Sequence, residues 1–196
     1  MSELHSARKA VWKQAQKYGK KKTGTTHQVR TGQADKIPSD ANRRKRRVFV
    51  TGGAEGIGKA IVEAFSQADC LVAFCDTNDA SGQQTAKETG SIFHKVDVSN
   101  KESLENCVLQ ILKEWGDLDI IINNVGISNF SPITETSIED FDKILSVNLR
   151  PVFITSRLLA IHRKALSFPK PYGRIINICS TRYLMSEPGS EGYGGS

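Results

Sequence analysis

Glycines at positions 52, 56 and 58 form the pattern that points most directly to chemistry. They lie in the segment Thr51-Gly52-Gly53-Ala54-Glu55-Gly56-Ile57-Gly58, after a β-branched run and before a helical pattern. Gly52 permits a tight turn, Gly56 lets the backbone approach a pyrophosphate, and Gly58 lets the helix pack against the strand. The helix N-terminus, near Ile57, offers free N–H groups to phosphates. We therefore expect these glycines and Ile57 to bind a dinucleotide, although such glycines also occur in purely structural turns.

Asp76 is the second candidate for dinucleotide binding. It ends the next strand-like run, 18 residues after Gly58. An acid at about this spacing accepts hydrogen bonds from the adenosine ribose and repels a 2′-phosphate. The glycine segment contains Glu55 and no lysine or arginine. We therefore expect NAD rather than NADP, the alternative being that Asp76 is a solvated residue at the end of a strand.

Several further residues fit one family when they are taken together and in order. The pattern TGxxxGxG at 51–58 is followed by Asp97-Val98, Asn123-Asn124-Val125-Gly126, Asn148, and Ser180 with Tyr193. In this order the motifs resemble those of the short-chain dehydrogenase/reductases, over about residues 48–196. Val125 departs from the pattern, because the family usually has alanine there.

The resemblance implies roles for these residues in an oxidoreductase that interconverts a secondary alcohol and a ketone. Ser180 would hydrogen-bond the substrate oxygen, and Tyr193 would take or give the proton while hydride moves to or from nicotinamide. Asn148 would organise a proton relay. The cofactor contacts would come from Asp97 and Val98 around the adenine, and from Asn124 and Gly126 along the cofactor wall. Taken singly, Ser180, Tyr193 and Asn148 could equally be a turn hydroxyl, a surface ring and a helix end.

The family has a catalytic lysine four residues after the tyrosine, and the sequence as written stops one residue short of that position, at Ser196. A tyrosine hydroxyl needs a nearby cation to exchange a proton at neutral pH. We therefore expect this chain to have no appreciable dehydrogenase activity, no formed helix around Tyr193 and an exposed edge at the fifth strand. The alternative function is a catalytically silent nucleotide-binding or interaction fragment.

The elements that position these residues alternate along the chain. Strand-like runs at 48–51, 71–75, 91–96, 118–122 and 174–178 are separated by helical patterns at 57–68, 80–88, 101–115, 138–147 and 150–166. Apolar strands that alternate with helices predict a parallel sheet covered on both faces. The predicted fold class is α/β, a doubly wound Rossmann-like sheet that is incomplete at its C-terminal end.

The net charge of +6 divides unevenly along the 196 residues. Residues 1–47 carry 14 lysines and arginines against three acids, whereas residues 48–196 carry 13 against 18. We therefore predict a flexible basic arm over 1–47 and a mildly acidic nucleotide-binding domain over 48–196. The arm is most simply a solvated extension; targeting and nucleic-acid binding through Arg43 to Arg47 are less favoured alternatives.

The remaining composition excludes several classes of protein. The four cysteines form no CxxC pair and the four histidines have no metal-ligand spacing, so no metal site is expected. Cys75 and Cys179 lie in strand-like runs and are expected to be buried. No uninterrupted apolar run reaches the ~18 residues of a membrane span.

We predict a cytoplasmic protein with a small-molecule substrate, no membrane partner, and oligomerisation only of a complete protein. The carboxylates of Glu187 and Glu191, between Ser180 and Tyr193 in the sequence, disfavour an anionic substrate.

Overall fold

The computed structural model describes residues 44–166, 173–185 and 187–196. In chain order, its strands and helices within these ranges are β1 (Arg47–Thr51), α1 (Gly56–Gln67), β2 (Leu71–Asp76), α2 (Asp79–Thr89), β3 (Ile92–Lys95), α3 (Lys101–Trp115), β4 (Ile120–Asn123), α4 (Ile138–Asn148), α5 (Arg150–Ala165), β5 (Arg174–Asn177) and α6 (Glu191–Gly194). A 3₁₀ turn spans Thr181–Tyr183. The predicted alternation of strands and helices is confirmed, and no end is displaced by more than two residues.

The five strands form one parallel sheet in the order β3-β2-β1-β4-β5. Val48 pairs with Val72 on one side and with Ile120 on the other, so β1 is the central strand. The chain leaves β1 toward β2 and β3, then crosses back to β4 and β5. This reversal beside β1 places the loops after β1 and β4 next to each other, where open α/β sheets form ligand crevices. The predicted doubly wound fold is confirmed.

The three inner strands are apolar because both of their faces are covered. On one face, Val48, Val50 and Phe74 pack with Val62 of α1. On the other face, Phe49 and Ile121 pack with residues of α3 and α5, among them Leu104, Ile111, Leu158 and Leu159. Alternation along β1 therefore supplies two cores, as expected for a parallel sheet between helical layers.

The fifth strand is the exposed edge that the sequence predicts. All four residues of β5 are exposed, and Ile175 retains 43% of its accessible surface.

The prediction that Cys179 is buried is wrong, since this residue follows β5 and is exposed. Cys75, in an inner strand, is buried as predicted.

Helices α4 and α5 together form a longer apolar segment than the sequence pattern indicated. The segment Ile138–Ala165 is 28 residues long and is apolar enough to cross a membrane by length and composition alone. The segment contains no long uninterrupted apolar run, because polar residues such as Asp142, Lys143 and Arg157 recur along it. Ile154, Leu158 and Leu159 of this segment pack into the core shared with α3. A core helix meets the same test, so the segment is weak evidence for a membrane span.

The sequence pattern placed Arg47 in a solvated arm, and this placement is wrong. It is the first residue of β1, is buried, and belongs to the compact unit Arg44–Ser196. Its guanidinium donates to Asp117 Oδ2 at 3.0 Å, to Asp119 Oδ2 at 3.1 Å and to the Trp115 carbonyl at 2.7 Å. Because these contacts engage Arg47 inside the fold, it cannot serve a nucleic-acid patch.

A buried charged cluster, which we call the Arg47 cluster, joins Arg47, Asp117, Asp119 and Arg163 at the amino end of β1 and β4. The guanidinium of Arg163 lies 3.2 Å from Asp117 Oδ1 and donates to the Leu118 carbonyl. Burial opposes ionisation of Asp119, but hydrogen bonds and charge from Arg47 outweigh it and lower the pKa of that carboxyl. The cluster therefore links β1 to β4 and α5 at the end of the sheet opposite the glycine loop.

We expect Cys75 and Cys107 to differ from Cys179 in their reaction with a thiol reagent. Burial raises the pKa of the Cys107 thiol to about 12 and raises that of Cys75 well above its ordinary value. Only the thiolate reacts, so neither should be alkylated by iodoacetamide in the native protein, whereas exposed Cys179 should react readily. Mass spectrometry after timed alkylation measures this order. Modification of Cys75 or Cys107 as fast as Cys179 without denaturant would show that the sheet does not pack against α3 as described.

Candidate active site

The loop between β1 and α1 folds closely onto the carboxyl end of the sheet. Gly52 has a positive φ of 69°. The backbone N–H groups of Gly52 and Gly53 both donate to the Cys75 carbonyl, at 2.8 and 3.2 Å. A Cβ built on Gly58 would lie 1.7 Å from the carbonyl oxygen of Gly52. Glycine is therefore required at 58, but by contact between α1 and the loop itself rather than by the predicted packing of the helix against the strand.

The N-terminus of α1 is left without a side-chain cap. Glu55 occupies the N-cap position but makes no cap hydrogen bond, and the first turn holds no acidic residue. By contrast, Asn78, Asn100 and Ser137 cap α2, α3 and α4 through their side chains. The first N–H groups of a helix have no partner within the helix and attract anions. The arrangement at α1 suits phosphate oxygens.

Asp76 lies at the carboxyl end of β2, where the sequence predicts a ribose ligand. Its Oδ2 accepts from the backbone N–H of Ala54 and its Oδ1 from that of Asn78, both at 3.1 Å. These two bonds hold the carboxylate between the glycine loop and the start of α2. The side chain remains partly exposed and lines the adjacent cavity.

A cavity of about 320 Å³ opens at this end of the sheet. Most of the predicted cofactor residues line it, from the loops after four different strands: Gly52, Asp76, Asp97, Val98, Asn124 and Gly126. Gly56, Ile57 and Gly58 lie outside this lining, at the start of α1. The lining combines apolar walls with the carboxylates of Asp76 and Asp97, which suits a planar base and a ribose. The residues present therefore fit the adenosine half of a dinucleotide, with its phosphates at the α1 N-terminus.

Asn148 ends α4 and joins two loops of the site. Its Oδ1 accepts from the Ile127 N–H at 2.9 Å, and its Nδ2 donates to the Ile127 carbonyl at 3.0 Å. The same Nδ2 donates to Ser196 Oγ at 2.9 Å, and Ser196 Oγ donates to the Tyr193 carbonyl. Asn148 thus connects the segment after β4 to the segment that carries Tyr193.

Ser180 and Tyr193 lie beyond β5 and are both partly exposed. The hydroxyl of Ser180 accepts from the Arg182 N–H at 3.2 Å and opens the following 3₁₀ turn. Tyr193 lies in α6, so the prediction that no helix forms around it is wrong: the Gly194 and Gly195 N–H groups bond to the Ser190 and Glu191 carbonyls. Gly192 lets α6 approach α4, because a Cβ there would lie 3.1 Å from Ile144 Cδ1.

Comparison with known proteins identifies the family to which this chain belongs. A family model described as short chain dehydrogenase matches residues 46–196. The chain belongs to the short-chain dehydrogenase family. The resemblance carried by the sequence motifs is therefore confirmed.

Relatives of this short-chain dehydrogenase chain include enzymes acting on sugars and polyols. It is 37% identical to L-fucose dehydrogenase of Mus musculus, over 68% of this chain and 48% of that protein. It is 31% identical to sorbitol dehydrogenase of Cereibacter sphaeroides, over 69% and 52%. A solved structure of 3-ketoacyl-(acyl-carrier-protein) reductase from Brucella melitensis, complexed with NADH, is 26% identical with a TM-score of 0.71, over 76% of this chain and 63% of that one. The chain spans about half the length of the curated relatives it matches.

Sequence reasoning missed one residue that shapes the short-chain dehydrogenase site. Thr51 is buried, and its Oγ1 accepts from the Asn124 N–H at 3.0 Å and the Val125 N–H at 3.3 Å. The Asn124 Nδ2 in turn donates to the Thr51 and Gly52 carbonyls. Asn124 thus fixes the glycine loop to the loop after β4. A threonine ending the first strand, before the glycines, was the available signal.

Proposed function

We propose that this chain carries the cofactor-binding half and the hydroxyl residues of an NAD-dependent oxidoreductase. The reaction would be hydride transfer between nicotinamide and a secondary alcohol or ketone. The observation that supports it is the combination, at one end of the sheet, of an uncapped helix N-terminus with a cavity that contains Asp76. Family membership supplies the reaction type.

The preference for NAD over NADP rests on Asp76. Its carboxylate accepts two backbone hydrogen bonds and borders the cavity. Neutral ribose hydroxyls can donate to such a carboxylate, whereas a 2′-phosphate would bring like charge against it. Thr77, which also lines the cavity, offers no compensating positive charge.

The proposed chemistry divides between the cofactor and three side chains. The nicotinamide ring, when bound, supplies or accepts the hydride. Ser180 Oγ would hydrogen-bond the substrate oxygen, and the Tyr193 hydroxyl would take the proton from that oxygen during oxidation and return it during reduction. Asn148, through its bonds to Ile127 and Ser196, would hold the segment carrying Tyr193 in register with the loop after β4.

The proposed substrate is a small alcohol, in keeping with the sugar and polyol dehydrogenases among the relatives. The acidic pair Glu187 and Glu191 contributes less to this choice than the sequence suggests. Glu187 pairs with Arg182 at 2.5 Å, and a carboxylate oxygen of Glu191 accepts from the Gly189 N–H. Much of the negative charge is thus engaged by the protein itself.

A second candidate is a nucleotide-binding or interaction module without catalysis. The observation that favours it is the exposed apolar edge at β5, where Ile175 and Ile176 retain 43% and 40% of their accessible surface. An unpaired apolar strand edge is a template for contact with another chain. Cytoplasmic location and homo-oligomerisation remain predictions.

Two assays on the purified chain test these candidates. We expect calorimetry to detect NAD⁺ binding, and NADH absorbance then measures turnover of secondary alcohols, including polyols. Turnover that is lost in Tyr193→Phe and retained in Ser146→Ala, a hydroxyl outside the site, supports the enzyme and contradicts the sequence expectation that this chain is inactive. Binding without turnover agrees with the expectation that this chain alone is inactive, whereas absence of NAD⁺ binding contradicts the enzyme and the nucleotide-binding module and leaves only an interaction module.

A further inference from the structure

One hydroxyl in the interior of α2 is used outside its own helix. A threonine inside a helix can donate its hydroxyl to the carbonyl four residues earlier, as Thr89 Oγ1 does to Thr85 at 2.7 Å. Thr85 Oγ1 instead donates to the Ala54 carbonyl at 2.9 Å, 31 residues earlier in the chain. Thr85 and Ala54 are each only 1% exposed, so this bond lies out of reach of bulk water. It ties α2 to the middle of the glycine loop.

The packing of α2 brings this hydroxyl within reach of the loop. Gly82, three residues earlier, is buried, and an added Cβ there would come within 2.3 Å of the Phe93 ring on β3. Glycine weakens a helix interior, but here it lets α2 lie close to the sheet. Asn78 Nδ2 and Ser81 Oγ, at the start of the same helix, both donate to Glu55 Oε1. Three side chains of α2 thus hold two adjacent residues of the loop.

Ala54 is held on both sides of its backbone. Its N–H donates to Asp76 Oδ2 at 3.1 Å, and its carbonyl accepts from Thr85. The peptide bond that follows is trans, so its carbonyl and its N–H point in opposite directions. The bond to Thr85 therefore turns the Glu55 N–H away from α2. This N–H, at the uncapped start of α1, has no acceptor among the described residues and is available to a phosphate oxygen.

We propose that Thr85 is a positioning residue for the cofactor pyrophosphate, acting through the peptide between Ala54 and Glu55 without touching the cofactor. The inference rests on the proposed function, since it concerns the same cofactor site. Without the hydroxyl, the buried Ala54 carbonyl loses its donor, and the loop gains orientations in which this carbonyl turns toward another partner. Those orientations do not present the Glu55 N–H to phosphate. The apparent affinity for NAD then falls in proportion to the fraction of molecules that keep the native orientation.

The test compares NAD⁺ and adenosine binding in the wild-type chain and three variants by NMR titration, which also measures weak affinities. Thr85→Val removes the hydroxyl at nearly unchanged shape, Thr85→Ser keeps it, and Thr89→Val removes a hydroxyl that bonds within α2. We expect Thr85→Val to weaken NAD⁺ binding about tenfold, and Thr85→Ser and Thr89→Val to stay within about twofold of the wild type. Adenosine has no pyrophosphate, so its affinity should change less than about twofold in all three variants. Circular dichroism checks that each variant is folded.

Three results would overturn the proposal. The first is an unchanged NAD⁺ affinity in Thr85→Val. The second is an equal weakening of NAD⁺ and adenosine in that variant, or its failure to fold, either of which would make Thr85 a structural residue of α2. The third is the same loss in Thr89→Val, or no recovery in Thr85→Ser, because the bond to Ala54 would then not be responsible. Failure of the wild-type chain to bind NAD⁺ would instead overturn the proposed function, and this inference with it.

Discussion

Replacing Gly58 with alanine is expected to lower the free energy of unfolding by about 3 kcal/mol, at the upper end of the cost of overpacking. The added Cβ would lie 1.7 Å from the Gly52 carbonyl oxygen and 2.7 Å from Asn124 Nδ2. Neither atom can move alone, because Asn124 Nδ2 donates to that same carbonyl. Relief of the clash therefore requires α1 to separate from the loop and breaks the link between the loops after β1 and β4. Urea unfolding followed by circular dichroism measures the loss.

Gly56→Ala is the matched control for this prediction. Gly56 has a positive φ of 55°, but a Cβ there meets no atom within 4 Å. Its cost should be the backbone penalty alone, roughly 1 kcal/mol. Equal losses of stability in the two variants would contradict the close packing of α1 on the glycine loop.

Replacing Asp117 with alanine is expected to have the second large effect, about 3–5 kcal/mol of unfolding free energy, because it breaks a buried ion pair from one side. The Asp117 side chain is fully buried and lies between Arg47 and Arg163, whose side chains are 7% and 13% exposed. Its removal leaves two guanidinium groups in a site with fewer acceptors. Urea unfolding measures this loss as well.

Lys45→Ala supplies the comparison for the buried pair. Lys45 and Asp69 also form an ion pair, but their side chains are 60% and 78% exposed. Exposed pairs contribute about 0–1 kcal/mol, so this variant should be nearly as stable as the wild type. If Asp117→Ala were equally harmless, the Arg47 cluster would have no role in holding β1 against β4 and α5.

The parts of the fold that could be predicted from sequence are those governed by local rules. Apolar runs of strand length and helical periodicity predict the alternation of elements, and parallel strands place their carboxyl ends at one edge. The positions of the glycines and Asp76 at that edge follow from this. The cavity is consequently lined by most of the cofactor residues expected.

The features that sequence analysis missed depend on partners far apart in the chain. In the sequence, Arg47 looks like the last residue of a basic run. Its buried position depends on the acceptors Asp117 and Asp119, which lie about 70 residues later in the chain. Glu55 similarly accepts hydrogen bonds from Asn78 and Ser81, 23 and 26 residues later in the chain. The short helix α6 was not expected, because its pattern Glu-Gly-Tyr-Gly is poor in helix formers and it is held by packing of Gly192 on Ile144. Charge and composition identify such residues but not their partners.

The central claim, that a dinucleotide binds at the α1 N-terminus, is tested most directly by calorimetric titration of NAD⁺ into the wild-type chain and two alanine variants. Gly56 and Gly90 both have positive φ and open space for a Cβ, but Gly56 begins α1 whereas Gly90 ends α2. The two substitutions should therefore cost similar stability and differ in binding. We expect saturable binding to the wild type, unchanged in Gly90→Ala and at least about tenfold weaker in Gly56→Ala, where a methyl group would meet the pyrophosphate. A flat wild-type titration, or equal affinities in the two variants, would contradict the claim.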